Sequence, residues 1–356
     1  MTDKAWLQLA LTPGIGPAGF LRLLQAFGQP EAAIAAPAAH TTPFIGPAAA
    51  QALREGASAA DADAALIWAE QAGCSLMTLA DPDYPQALAE SPSPPPLLFL
   101  RGRRAMLQQP LLAMVGSRSA TPVGEKTARR FAGQLAEHGY TIVSGLAGGI
   151  DAAAHRGALE YPSSTIAVIG TGIDRVYPSA NRQLARDISD QGLIVSEFAL
   201  GLGPLASHFP RRNRIIAALS RGCLVVEAGL KSGSLITARL AAEQGREVMA
   251  VPGSIHNAQA RGCHQLIRDG AALVQSAEDV LDEVGRLQRQ AKPKTVIQPS
   301  DSEHPLLAAM GHDAIHAEQL SQQLGLTQGE VYAMLLELEL AGRLATLSDG
   351  RVQRLD

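Results

Sequence analysis

A chain of 356 residues, 46% hydrophobic and 18% charged, is a globular sequence too long for one ordinary core, and two or three domains are expected. Its net charge of −4 excludes a surface coated in positive charge, so a nucleic-acid site must be a local patch. Three cysteines, Cys74, Cys223 and Cys263, show no CxxC spacing and cannot make a full disulfide framework. The apolar runs are too short for a membrane span, and Asp3, Pro13 and Gly14 break any signal-peptide pattern, so the reading is a cytoplasmic protein with no membrane contact.

Residues 1–72 read as short helices. Leu7, Leu9 and Leu11 lead into Thr12-Pro13-Gly14-Ile15-Gly16-Pro17, and Phe20, Leu21, Leu23 and Leu24 follow at helical spacing. A Gly-Ile-Gly turn between helices is the helix-hairpin-helix (SAM-like) pattern, whose turn N–H groups can hold a DNA phosphate. The same residues make a tight turn in a small bundle, and the scarcity of basic neighbours favours that reading over a phosphate contact.

Residues 73–285 read as one extended α/β domain. Ser75–Leu79 and Leu97–Leu100 are expected strands, separated by a proline cluster that forbids helix. Further strands are expected at Leu111–Val115, Thr141–Val143, Thr165–Ile169, Leu193–Val195, Cys223–Val226, Glu247–Val251 and Ala272–Val274. Amphipathic stretches such as Gly124–His138, Ile150–Ala158 and Ile236–Gln244 lie between them. That alternation predicts a doubly wound, mostly parallel Rossmann-like sheet with its ligand at the carboxyl ends of the strands. Residues 286–304 read as a linker. Residues 305–356 read as three helices and a terminal hairpin, a winged helix. Glu330, Glu337 and Glu339 face Arg343 alone in its second-helix region. Such a surface repels phosphate, so this domain reads as a protein-contact or regulatory module, with DNA binding the lesser alternative.

Three glycine turns fall at expected strand ends: Gly116-Ser117-Arg118, Ser144-Gly145-Leu146-Ala147-Gly148-Gly149-Ile150-Asp151, and Gly170-Thr171-Gly172-Ile173-Asp174. Turns of this kind leave backbone N–H groups free for an anion. A fourth, Glu227 to Ser234, contains Lys231 and Ser232. No acid occurs between Glu90 and Glu125, or between Glu197 and Glu227. Those windows hold Arg118, His208, Arg211, Arg212, Arg214 and Arg221.

Enzymatic readings fit poorly. Gly170-Thr171-Gly172 has Arg175 where a dinucleotide motif needs glycine, and Lys231-Ser232 lacks the Walker A frame. Ser144, Asp151 and His155 are the residue types of a hydrolytic triad, but without the nucleophile elbow, and Asp151 reads instead as accepting turn N–H groups. His256, Cys263 and His264 lack a fourth ligand at metal spacing, so no metal and no cofactor is expected. What remains is Arg118, Phe209, Arg211, Arg212, Asn213 and Arg214. Arginine forks suit phosphate, and an aromatic face suits an unpaired base. The pattern alone leaves two alternatives open, a loop anchor for Phe209-Pro210 and a helix cap for Asn213.

The series GSR, SGLAGGIDAAAH, VIGTGIDRVYP, HFPRRNRIIAALS, VVEAGLKSGSLITA and GCHQLIRDGA resembles the DprA/Smf family, the DNA-processing proteins of bacterial natural transformation. The resemblance covers about 170 residues of the central domain. It implies a homodimer that binds and protects single-stranded DNA, loads RecA onto it and has no established catalytic activity. Carried over by position, it implies a DNA phosphate at Arg118 and a base near Phe209. With the turns and basic residues read above, the expected DNA-binding set is Gly116, Ser117, Arg118, Ser144, Gly145, Gly148, Gly149, Arg175, Phe209, Arg211, Arg212, Asn213, Arg214, Lys231 and Ser232. It places the dimer interface at Leu266, Ile267, Leu273 and Val274. One departure is Ser179, which follows Tyr177-Pro178 where many members carry a basic residue; Arg175 or Arg182 is the substitute. The fold also resembles nucleotide phosphoribohydrolases, but Glu227-Ala228-Gly229-Leu230-Lys231-Ser232-Gly233 lacks their paired glycines.

Overall fold

A computed structural model describes residues 4–287, 305–310, 314–347 and 349–355. The expected linker lies outside the described residues from 288 to 304. One sheet contains β1 (Cys74–Thr78), β2 (Leu97–Gly102), β3 (Leu111–Val115), β4 (Thr141–Ser144), β5 (Thr165–Val168), β6 (Leu193–Ser196), β7 (Gly222–Val225), β8 (Glu247–Ala250) and β9 (Ala272–Leu273). Their order is β1-β2-β6-β5-β4-β3-β7-β8-β9. The strands from β6 to β9 are parallel, while β2 runs antiparallel to both β6 and β1.

The strand sequences explain the layering. All five residues of β3 are buried. Leu111, Ala113 and Val115 join the core beneath the His208–Leu219 and Ser234–Glu243 helices. Leu112 and Met114 point the other way, to the Pro122–Glu137 and Ile150–Ala158 helices. A strand covered on both faces must be apolar at every position, which is why these strands appear as unbroken apolar runs.

From β3 the chain winds through β4, β5 and β6 on one side. It then crosses back to build β7, β8 and β9 on the other. The loops leaving β3 and β7 therefore diverge, and a crevice opens between them at the carboxyl edge. Ser117 N–H donates to Glu227 O at 2.6 Å across the base of that crevice.

The N-terminal helices run from Lys4–Leu11 to Ala59–Ala69. Gly14 adopts φ +85°, and a Cβ there would lie 3.1 Å from Ala49 Cβ. The Gly-Ile-Gly turn is thus packed onto the Pro47–Arg54 helix, and Thr12 Oγ1 adds a 2.7 Å bond to Gln8 O. Trp6 Nε1 donates to Pro96 O at 2.7 Å, tying this bundle to the segment before β2.

At the other end, helices Pro305–Met310, Ala317–Leu324 and Gln328–Leu340 precede β10 (Leu344–Thr346) and β11 (Val352–Arg354), an antiparallel pair. Leu306, Leu320, Val331, Leu335, Leu338 and Leu344 give this winged helix a core of its own. No helix among the described residues is long and apolar enough to cross a membrane.

Candidate nucleic-acid interface

Four turns meet at the carboxyl edge, and each is held differently. After β3, Gly116 makes a close approach: a Cβ there would lie 2.5 Å from Ile150 Cγ1 and 2.8 Å from Glu227 O. Ser117 is buried, and its Oγ accepts the Ser119 N–H at 3.1 Å. Arg118 then emerges into solvent, with its guanidinium carbon 4.8 Å from the centre of the Phe209 ring. It forms no ion pair among the described residues. Glu197 is taken by Arg211 and Arg214, and Asp151 is spent on the neighbouring turn.

That second turn differs from the sequence expectation. Its N–H groups were expected to face a bound anion, yet Gly145 N–H and Ala147 N–H donate to Asp151 Oδ2 at 3.1 and 3.4 Å. Leu146 N–H donates to His155 Nε2 at 3.2 Å. The protein supplies its own anion here, as the capping reading of Asp151 anticipated. Asn181 Nδ2 locks the other side, donating to Leu146 O and Ala147 O at 2.9 and 3.1 Å.

The hydrolytic constellation is dispersed by the same bonds. Ser144 Oγ is buried and donates to Met114 O at 2.7 Å. His155 Nδ1 bonds Thr165 Oγ1 at 2.7 Å. Burial, reinforced by the charges of Arg212 and Arg156, pushes the imidazole down to about 3. A ring nitrogen that accepts the Leu146 N–H must be unprotonated, so geometry and electrostatics agree on a neutral structural histidine.

His208–Leu219 is a helix, which corrects the reading of Phe209-Pro210 as a loop. Pro210 falls in its first turn, where a missing N–H costs nothing. Asn213 lies in the second turn and is no cap; its Oδ1 accepts from Arg212 Nε at 3.1 Å. Helical spacing sorts the arginines by face. Arg211 and Arg214 turn together to the buried Glu197: Arg211 Nε lies 3.6 Å from Oε1, and Arg214 bonds Oε2 and Ser93 O. Arg212 points inward. It is 4% exposed, donates to Val168 O and packs against Gly145. Burial pushes its guanidinium down to about 10, with Asp151 holding it up, so it stays charged at neutral pH. Burial likewise raises the Asp151 carboxyl, opposed chiefly by Arg212.

Two hollows flank Arg118. A groove of about 520 Å³ is lined by Gly116, Ser117, Phe209, Arg212, Lys231 and Ser232, with Asn213 beside them. A smaller hollow of about 220 Å³ has walls from Gly145, Gly148, Gly170, Tyr177, Phe209 and Arg212. Of the expected residues, Ser144 lies beneath the surface. Gly149 (φ +68°) is pressed against the Ser117 and Arg118 backbone. Arg175, 61% exposed, stands outside both hollows and pairs with Asp174 at 3.5 Å. Gln259 lines the larger groove without having been singled out, while Gly170 and Tyr177, named in the third turn but not as DNA contacts, line the smaller hollow. The scarcity of aromatics was the available signal for Tyr177, since a lone aromatic beside a glycine turn is informative in a chain with 4% of them.

The expected dimer residues divide. Leu266 and Ile267 pack partly against the core, and Leu273 is 50% exposed. Val274 is fully buried against the helical layer and offers no surface to a partner. Of the candidate metal ligands, Cys263 faces the Val225 and Val226 carbonyls, while His264 Nε2 bonds Gly253 O at 2.9 Å.

Comparisons with known proteins agree with this geometry. Residues 75–285 match the family described as DNA recombination-mediator protein A, residues 290–350 the DprA winged helix domain, and residues 2–41 the DprA-like N-terminal HHH domain. The Escherichia coli protein Smf is 41% identical over 300 residues, covering 82% of this chain and 80% of that protein. The DNA processing protein DprA of Streptococcus pneumoniae is 49% identical over 206 residues, covering 58% of this chain and 73% of its own. The X-ray structure of the Streptococcus pneumoniae protein superposes with a TM-score of 0.70 at 39% identity, covering 80% of this chain and 99% of that one. A Helicobacter pylori DNA processing protein A, solved to define its single-stranded DNA binding mode, superposes at 0.54 with 30% identity, covering 59% of this chain and 94% of that one. With a family match across the whole sheet and a relative of this identity over most of both chains, the protein belongs to the DNA recombination-mediator protein A (DprA/Smf) family.

Proposed function

We propose that this protein is a single-stranded DNA-binding recombination mediator, which shields incoming single strands and loads RecA onto them during natural transformation. The observation that carries the reading is Arg118, an exposed guanidinium without an acid partner among the described residues, lying over Phe209 between two hollows at the switch point. Its charge suits a phosphate, and the aromatic beneath it suits an unpaired base. Gly116, Ser117, Gly145, Gly148, Arg212, Asn213, Lys231 and Ser232 form the surrounding walls. Arg212 supplies buried positive charge from below. Arg211 and Arg214 act through Glu197, fixing the helix that presents Phe209. The role is binding, with no catalytic step assigned to the site. The surface proposed for a homodimer is the exposed Leu273, with Leu266 and Ile267 behind it. The single-stranded DNA named for the Helicobacter pylori structure supports the ligand class.

The reading is tested by titrating single strands and duplexes of equal length across a salt series. Single strands should bind more tightly, with log affinity falling linearly with log salt. Equal affinity for the duplex at matched salt would overturn it.

A further inference from the structure

Two loops, one lining the smaller hollow through Tyr177 and the other leading into the helix of Phe209, carry apolar side chains that belong to no core cluster. Val176 and Tyr177, after β5, are 37% and 48% exposed; Leu202 and Leu205, after β6, are 41% and 55% exposed. These are four of the twelve large apolar side chains exposed among the described residues. Their loops are tied into one ledge. Gly172 N–H donates to Leu202 O at 2.9 Å, and Gly201 N–H to Asp174 Oδ1 at 2.8 Å. Leu205 O accepts the His208 N–H at 3.0 Å, so the second loop ends where Phe209 begins. The Tyr177 and Phe209 rings lie 6.0 Å apart at 47°.

The chemistry of the ledge is unlike that of the crevice. The 197–207 segment contains no lysine or arginine, and Arg175 is engaged by Asp174. Nothing on this stretch offers a phosphate an unpaired positive charge. Exposed apolar side chains around an aromatic suit the faces of unpaired bases, which every nucleotide presents whatever its sequence.

We infer that this ledge is a second base-binding subsite, which takes bases flanking the one at Phe209 and uses Tyr177 as its stacking platform. The inference rests on the single-strand reading above. It divides the work between two surfaces: charge at Arg118 holds the backbone, and the ledge holds bases as the strand leaves the hollow. It also gives a role to an aromatic that makes no side-chain hydrogen bond among the described residues and stays half exposed.

The test uses the full chain with two fluorescent probes of about 15 nucleotides, near the upper end of single-strand site sizes. One is an oligothymidylate and the other a strand of the same length made of abasic sites. Tyr177→Ala should weaken oligothymidylate binding on the order of tenfold, with the salt slope of the wild type. On the abasic strand the variant and the wild type should match. Tyr177→Phe should bind like the wild type, and Leu205→Ala should lose less in the same direction. Unchanged affinity of Tyr177→Ala would overturn the inference, as would an equal loss on the abasic strand. So would intact affinity for these probes combined with lost cooperativity on long strands, which would mark the ledge as a protein contact. A wild type with no preference for single strands would instead overturn the functional reading beneath it.

Discussion

The crevice and the winged helix are both places where a nucleic acid could dock, yet they are built from opposite materials. Around Arg118 every nearby acid is occupied: Asp151 by turn N–H groups, Glu197 by two arginines, and Glu227 by Thr121 N–H and Oγ1 at 2.9 and 2.7 Å. Those three acids stand against Arg118, Arg211, Arg212, Arg214 and Lys231, an excess of positive side chains around the crevice. The winged helix, residues 305–356, carries three arginines and seven acids, a charge of −4 that equals the whole chain's. Its Gln328–Leu340 helix holds the position that reads a major groove in DNA-binding relatives of the motif. Here that helix exposes Tyr332, Leu336 and Leu340, one face at four-residue spacing, with Glu337 and Glu339 beside them. A fold supplies positions, and side chains decide what binds there. Under the proposed function, the contrast predicts single strands at the crevice and protein contacts at the winged helix.

The comparison breaks most severely if the crevice loses its frame. Arg212 is buried between β5 and the Gly145 turn, so Arg212→Ala leaves Asp151 buried without its compensating charge. Unfolding free energy should fall by about 3–5 kcal/mol, read by denaturant titration. A loss below 1 kcal/mol would show that the buried charge is not part of the frame. A second strain on the frame comes from pH. His155 is held neutral in the folded protein, with a value near 3 against 6.5 in the unfolded chain. Between those values the unfolded state binds more protons, so stability falls as pH drops below about 6.5 and should be lower by on the order of 3 kcal/mol at pH 4. His155→Gln should flatten that part of the stability profile. An unchanged slope would assign the acid sensitivity elsewhere.

Smaller in energy and closer to function is Arg118. Arg118→Ala should weaken single-strand binding by about 1–3 kcal/mol and reduce the log–log salt slope by about 0.7. Arg118→Lys should recover part of the loss, because the ammonium keeps the charge without the planar fork. Melting temperature should be unchanged, as the side chain pairs with no acid among the described residues. A folded Arg118→Ala protein with wild-type affinity would remove Arg118 from the site.

The parallel strands and glycine turns were legible because both follow from local chemistry. Leu111–Val115 must be apolar throughout when helices cover both faces, and Gly116 is required wherever Ile150 and Glu227 O approach the backbone. The antiparallel edge was less legible, since the pairing of β2 with β6 depends on contacts remote in sequence. The arginines of the His208–Leu219 segment could not be told apart in the sequence for a specific reason. Taken as a loop, Arg211, Arg212 and Arg214 are equivalent; taken as a helix, the three-residue spacing puts Arg211 and Arg214 on one face and Arg212 on another. Asp151 shows the same limit. Its capping role was readable, but its occupation of the place open to a ligand anion required the bond lengths.

The division between crevice and winged helix is tested most directly by deleting residues 305–356, which hold a separate core, and measuring single-strand affinity beside the full chain and Arg118→Ala. The truncated protein should stay within a few-fold of the full chain, while Arg118→Ala falls on the order of tenfold or more. A truncated protein that remains folded but loses two orders of magnitude in affinity would contradict the account and make the winged helix the DNA reader.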